Sequence, residues 1–331
     1  MSEDKGKNVN PKRCIHCHKC WENCTFLTKY RLDIGDIGQW KKLLYHCFLC
    51  GKCTEACPRG IDGKQVILNM RCEQVEKNGG RLREEGYTGL LREKVDYLYQ
   101  NYDNGTRESV LFAGCSFPSY FPETTKRLAA LLKEKAGIGI VFDCCGKPVA
   151  ELGLREDAGR IIERIDRKLT ELHIDEVIMV CPNCYAYLKD RLTARVITIY
   201  EKLAELGIGR KISGKTEIFP PCPDREKWEI LSHIRPFLEE EPELITKIQC
   251  CGLGGCAGQK EPDLAGQMLE DISERKGIYT YCASCSGNIA RKGYGEVGYL
   301  LLEILGSREK ADVFHAIDNR RKAKDWQGPG K

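Results

Sequence analysis

The sequence of 331 residues has no long apolar run; its longest are pieces such as VIMV and YLLLEIL. Those fall far short of the roughly 18 residues that cross a bilayer, so membrane association is expected only through a partner. The polar start MSEDKGKNVNPKR carries no secretory leader. That argues against export, and with it against a disulfide framework, so the cytoplasm is the expected compartment. A charge excess of one sign is missing too. The formal net charge is +4, with basic residues spread among acidic ones, which leaves no footprint for nucleic acid. The basic stretch DNRRKAKDW near the C-terminus reads as a solvated tail. What the chain does have is length for two or three domains and 20 cysteines, expected to be reduced and metal-bound.

The first group of cysteines lies in CIHCHKCWENC, where Cys14, Cys17, Cys20 and Cys24 follow C-x2-C-x2-C-x3-C spacing. The spacing returns in CFLCGKCTEACP with Cys47, Cys50, Cys53, Cys57 and then Pro58. This is the two-cluster bacterial ferredoxin run, in which the fourth cysteine of each run serves the other cluster. Cys14, Cys17, Cys20 and Cys57 are therefore expected to hold one [4Fe-4S] cubane, and Cys47, Cys50, Cys53 and Cys24 the second. His16, His18 and His46 sit among thiolates that already suffice, and read as outer or solvent-facing residues.

A different arrangement follows. The doublet Cys144-Cys145-Gly146 recurs as Cys250-Cys251-Gly252, each with a lone cysteine upstream (Cys115, Cys222) and a C-x2-C downstream (Cys181 and Cys184, Cys282 and Cys285). Five thiolates are one more than a tetrahedral zinc or an ordinary cubane uses. Adjacent cysteines in extended chain point to opposite faces, which suits a larger cluster better than a single ion. A purely structural zinc role for the repeats is the poorer reading. Cys72 and Cys256 remain, both read as structural thiols, Cys256 in preference to a sixth ligand.

Around these cysteines the pattern is strand then helix. VLFAG leads to Cys115, IGIVFD to Cys144 and Cys145, and EVIMV to Cys181 and Cys184. TEIFP leads to Cys222, TKIQ to Cys250 and Cys251, and GIYTY to Cys282 and Cys285. Each expected ligand therefore lies at the strand-to-helix edge of an α/β sheet, where helix amides favour anions. Helices are expected over PETTKRLAALLKEK, from Leu154 to Leu172, and from Pro262. Before the first strand, GKQVILNMRCEQVEKN reads as a helix with Leu68, Cys72 and Val75 on one face, ended by Gly79 and Gly80. A second amphipathic segment carries Leu91, Val95, Leu98 and Tyr102. Matching cysteines recur about one hundred residues apart, an internal duplication too long for a solenoid. Two motifs are set aside: Cys181-Pro182-Asn183-Cys184 as a redox dithiol, and Gly252-Leu253-Gly254-Gly255-Cys256-Ala257 as a nucleotide loop. His173 and His233 receive no role.

From Cys14 to about Leu305 the pattern resembles the D-type polypeptide of heterodisulfide reductase and its relatives. These include the iron–sulfur subunits of anaerobic glycerol-3-phosphate dehydrogenase and glycolate oxidase. The resemblance implies an α+β ferredoxin-type, mainly helical, two-cluster module followed by two pseudo-twofold related α/β "CCG" lobes. The expected domains are residues 1–85, a helical linker 86–108, lobes 109–213 and 214–306, and a basic tail 307–331. It further implies two noncubane four-iron clusters, one on Cys115, Cys144, Cys145, Cys181 and Cys184, the other on Cys222, Cys250, Cys251, Cys282 and Cys285. A disulfide of the coenzyme M–coenzyme B kind would be cleaved between them, with Cys144, Cys145, Cys250 and Cys251 at the chemistry. Lys147 and Lys260 lie near the doublets in sequence and are candidates for an anionic substrate group. Electrons would come from a flavoprotein, a cytochrome b or a hydrogenase subunit. The alternative is a relay subunit of a flavin dehydrogenase without its own substrate. One departure is Cys222-Pro223-Asp224, where many relatives have histidine after the lone cysteine.

Overall fold

The computed structural model describes residues 8–328 apart from 274, 276 and 296. The first seven and last three residues of the expected end segments lie outside it. Strand β1 (Glu108–Phe112) takes Val110, Leu111 and Phe112 wholly out of water. An unbroken apolar run of this kind suits a parallel strand covered on both faces. β1 pairs in parallel with β2 (Gly139–Val141) and β3 (Ile174–Met179), and β3 with β4 (Arg195–Thr198), giving the order β2-β1-β3-β4. A second parallel sheet is built from β5 (Glu217–Ile218), β6 (Glu243–Leu244), β7 (Ile278–Thr280) and β8 (Gly298–Tyr299), in the order β6-β5-β7-β8. The two small sheets repeat one topology, the structural form of the duplicated cysteine pattern.

The covering helices follow from local chemistry. Pro122–Ala136 starts on a proline and is closed by Gly137 at φ 67°, the usual pairing of a fixed first turn with a left-handed stop. Arg155–Glu171 buries Ala158, Ile161, Ile165 and Leu169 on one stripe, and its Glu156 and Asp157 complement the helix N-terminus.

Ahead of the sheets, the described residues form short helices, Lys19–Glu22, Thr25–Tyr30, Ile37–Trp40 and Lys52–Ala56, then the longer Gly63–Lys77. One isolated bridge, Asn8 to Ile61, is the only strand-like pairing here among the described residues. The long helix buries Val66, Ile67, Arg71, Cys72 and Val75. Leu68 is only half-buried, and a fully buried arginine occupies the inner face.

Four expectations are corrected. TKIQ is not a strand: after Ile245 donates to Ile218 O the chain leaves the sheet. Arg225 then takes the carbonyls of Ile248 and Gln249 at 2.9 and 2.8 Å, so these peptides need no strand partner. The segment after Gly86 is helical only over Thr88–Lys94; Leu98 is 45 % exposed and Tyr97 turns inward instead. Lys260 pairs with Glu84, both partly buried, rather than with a group at the doublets. The C-terminal stretch is docked rather than solvated. Its helix Ala316–Lys324 buries Asn319, which donates to Ser119 O. Asn101 meanwhile donates to the carbonyls of Ala323, Lys324 and Trp326.

Candidate metal centres

Cys14, Cys17, Cys20 and Cys57 line one cavity with Asp33 and Ile34. Cys24, Cys47, Cys50 and Cys53 line a second, whose walls are Phe26, Leu27, Ile34, Trp40, Phe48 and Ile67. Cys24 thus sits with the second run and Cys57 with the first, and Ile34 separates the two cavities. The loops repeat at backbone level. His16 and Leu49 have φ of 50° and 49°, and His18 and Gly51 follow at 62° and 85°. Each left-handed turn aims a peptide N–H at sulfur: His16 N lies 3.4 Å from Cys14 Sγ, and Leu49 N 3.4 Å from Cys47 Sγ. Left-handed non-glycine residues cost energy and persist where a site requires the shape. His16 and His18 both lie against the buried Asp33 carboxylate, at 3.1 and 3.0 Å, and His46 against Glu261 at 2.6 Å. All three have carboxylate partners.

In the lobes, sulfurs form two parallel chains of contacts. One runs Cys115, Cys144, Cys145, Cys184, Cys181; the other runs Cys222, Cys250, Cys251, Cys285, Cys282. Cys181 touches Cys282, so the two sets meet at the lobe junction. Asn183 Nδ2 of the first lobe lies 3.8 Å from Cys282 Sγ of the second, and Ser284 Oγ donates to Ser116 Oγ at 2.7 Å. Cys115 and Cys222, at the far ends, are partly exposed and the other eight are buried. Cys181 and Cys282 are the N-caps of Pro182–Leu188 and Ala283–Arg291, as strand-end residues that open helices.

The second cavity adjoins the second lobe set. Gln249 donates to Cys24 Sγ at 3.6 Å while its oxygen accepts from Thr25 N at 3.0 Å, and Cys50 neighbours Cys222 and Cys250. The thiols therefore run in one order: first cavity, second cavity, second lobe, first lobe.

Thiol acidity is set by burial and by neighbouring sulfurs. Cys144 and Cys184 donate to Cys145 and hold it down at about 5; Cys250 and Cys285 do the same for Cys251, also about 5. Burial pushes Cys20 up to about 12, helped by Asp33, and Cys47 up to about 11. Buried thiols of this kind stay protonated until a cation replaces the proton.

The residues fit iron–sulfur clusters. Each of the four sites has a glycine packed on a cysteine, where a side chain would intrude. A Cβ at Gly35 would come 2.6 Å from Cys14 Cβ, at Gly63 2.7 Å from Cys53 Sγ, at Gly254 3.2 Å from Cys250 Sγ, and at Gly114 3.3 Å from Cys184 Sγ. Gly254 and Gly255 also press on the carbonyls of Phe48 and Cys47, so the glycine-rich loop is a close approach between the second lobe and the N-terminal region.

Of the cations beside the sulfurs, Lys94 and Arg225 carry no sequence signal, and Lys147 is expected from its place after the first doublet. Lys94, from the segment read as a linker, neighbours Cys115 and Cys144. Burial opposes its charge, and those sulfurs, Tyr97 and Glu93 hold it protonated. Lys147 neighbours Cys145 and Cys222, one from each lobe, and pairs with Glu151. Arg225 neighbours Cys50 and Cys222.

Comparison with known proteins matches the two cysteine-rich lobes to a domain family. The cysteine-rich CCG domain family matches twice, over residues 109–189 and 218–290. An uncharacterised iron–sulfur protein of Methanocaldococcus jannaschii is 26% identical over 86% of this chain and 68% of its own length. The B polypeptide of the fumarate reductase (CoM/CoB) of Methanothermobacter marburgensis is 25% identical over 92% of this chain and 73% of its own. Lactate utilization protein A of Macrococcus caseolyticus is 23% identical over 54% of this chain and 89% of its own. No solved structure gives a significant match. No helix among the described residues is long and apolar enough to cross a membrane. Two segments of the chain match the cysteine-rich CCG domain family, and the chain is similar to iron–sulfur proteins that include one component of a fumarate reductase.

Proposed function

We propose that this chain is an iron–sulfur oxidoreductase subunit that reduces, or in reverse forms, a disulfide held between its two lobes, such as a coenzyme M–coenzyme B-like heterodisulfide. The observation that carries the reading is the continuity of the lobe sulfurs across Cys181 and Cys282, with the two N-terminal sets leading to one end of that run. In this reading Cys14, Cys17, Cys20 and Cys57 hold one cubane, and Cys24, Cys47, Cys50 and Cys53 the second. The two quintets hold noncubane four-iron clusters, and the domains divide at 85, 108, 213 and 306. Bound there, such clusters supply single-electron steps, whereas a disulfide takes two electrons and two protons to leave two thiols.

The chain's own residues supply the rest. In each doublet, Cys144 with Cys145 and Cys250 with Cys251, the two sulfurs turn toward each other and so converge on one site per lobe. Lys147, facing Cys145 and Cys222, offers its ammonium to an anionic end of the substrate, with Glu151 fixing its position. Ile34 and Gln249 bridge successive sites, so electrons entering near Cys17, an exposed cysteine, pass inward to the lobes. The donor is a partner in a complex: a flavoprotein, a cytochrome b or a hydrogenase subunit. The relation to one component of a fumarate reductase supports such an assembly.

Anaerobically purified protein should contain about sixteen iron per chain if all four clusters are present; about eight iron, with zinc, overturns the reading. Reduced viologen should drive disulfide cleavage, and Cys145→Ser should abolish it while the cubane spectrum stays. A second reading, an electron relay without its own substrate, is favoured by the likeness to a lactate utilization protein. It predicts no disulfide turnover but rapid electron transfer to a partner.

A further inference from the structure

We propose that the hydroxyls of Tyr200 and Tyr299 donate hydrogen bonds to the sulfurs of Cys181 and Cys282 at the lobe junction, and so raise the reduction potentials of both lobe centres together. This rests on the four-cluster reading above. Both side chains are buried, 1 % and 2 % exposed. The two hydroxyls face each other and lie within electrostatic range of the two sulfurs, yet neither makes a hydrogen bond of acceptable geometry, to the other or to sulfur, among the described residues. Buried phenols almost always find a partner, and an orphaned hydroxyl costs about 1–3 kcal/mol. Two unpaired hydroxyls at one junction are donors that metal-bound thiolates, stronger acceptors than thiols, would draw into hydrogen bonds.

The sheet register places them. Met179 lies opposite Thr198, so two residues further on Cys181 and Tyr200 leave neighbouring strands side by side. In the second lobe Tyr299 lies opposite Thr280, two residues before Cys282. Its ring packs on Phe117 and Phe121 of the first lobe, at centroid distances of 6.0 and 5.3 Å. The tyrosines are not copies of each other, because the register counterpart of Tyr200 in the second lobe is Leu301. Duplication alone does not bring two hydroxyls to this junction; two different positions supply one each.

The chemistry of the junction explains the need. Cys181 and Cys282 are the pair in contact between lobes, and as metal-bound thiolates they bring like charges together away from water. Asn183 gives Cys282 one long contact, 3.8 Å. Both phenols lie away from water, where the neutral, donating form is favoured. A donor to ligand sulfur stabilises the more negative, reduced state of a cluster most, which raises its potential.

The test uses the anaerobically isolated full chain with Tyr200→Phe, Tyr299→Phe and the double variant. Redox titration followed by electron paramagnetic resonance should show the two lobe centres shifted to lower potential in each single variant and further in the double, with the cubanes unmoved and iron content unchanged. The metal-free variants should melt at or above the parent, since the deleted hydroxyls are unpaired there. Unshifted lobe potentials with about sixteen iron per chain overturn this proposal alone. A parent chain with about eight iron overturns the four-cluster reading beneath it. A packing role would lower melting or iron content and leave the potentials alone.

Discussion

Arg71 shows how much one side chain can hold. It is fully buried, and its five N–H groups reach Leu44 O twice, Cys47 O, Glu151 O and Gly255 O at 2.7 to 2.9 Å. One guanidinium thereby ties the N-terminal region to both lobes, with its flat face 4.9 Å from the Tyr45 ring centroid. Arg71→Met strips four carbonyls of their donors in a dry site and is expected to cost about 3–5 kcal/mol, read as a lowered denaturant midpoint; a midpoint equal to the parent contradicts this role. Glu261 is a second tie. Lys29, Tyr30 and His46 all approach it at 2.6 Å. Burial pushes its carboxyl up, but these donors together outweigh burial and hold it below the usual range. Its stabilising contribution is therefore complete above the unfolded value of about 4.3 and is lost as pH falls through the lower folded value. Glu261→Gln should weaken the fold near neutrality and flatten the acid limb of a stability–pH curve. An acid limb as steep as the parent's would show that the charge at Glu261 is not responsible. Neither residue stands out in the sequence, where Arg71 looks like an ordinary charged position on a helix and Glu261 like one just ahead of the helix from Pro262.

At the level of elements, the loops around the cysteines are shaped by turns that only some residues tolerate. Gly63 opens the long helix directly against Cys53 Sγ. Gly63→Ala is expected to remove about four iron per chain, the complement of one cubane, and its signal in the resonance spectrum; retention of full iron would show that Cys53 can move aside. Gly159 is the opposite case. It lies within Arg155–Glu171 with open space where a Cβ would go, so Gly159→Ala should stabilise the fold by about 1 kcal/mol in the same denaturant assay. The strands and helices around the first-lobe cysteines follow apolar runs and period, so they are legible from sequence. In the second lobe β5, β6 and β8 span two residues each, too short for periodicity to mark. The approach to Cys250 is held by Arg225 instead of a ladder, which a pattern of apolar residues cannot show.

Across the whole molecule, the C-terminal segment is docked against the first lobe. Trp326 packs on Phe142 at 6.0 Å, Glu309 accepts from Glu123 N and Thr124 N at a helix start, and Arg320 reaches Glu93 at 2.7 Å. Glu93 is next to Lys94, so this segment also braces the cation beside the first lobe set. A chain ending at residue 306 should melt lower and lose iron preferentially from the first lobe; unchanged melting would return the segment to a passive tail. Reading it as solvated failed because its composition is basic, while its anchoring comes from Asn319 and from Asn101 far away in the chain.

The sequence by itself determined the grouping of the cysteines, the duplication, and the alternation of strands and helices after the first hundred residues. These are properties of spacing and period, which the covalent chain fixes locally. Only the tertiary structure decided that Cys181 meets Cys282, that the second N-terminal set abuts the second lobe, that Lys147 faces sulfurs of both lobes and Lys260 neither, and that two unpaired tyrosine hydroxyls meet at the junction. Contacts between residues a hundred positions apart depend on how whole elements pack, and short-range sequence pattern carries no measure of that.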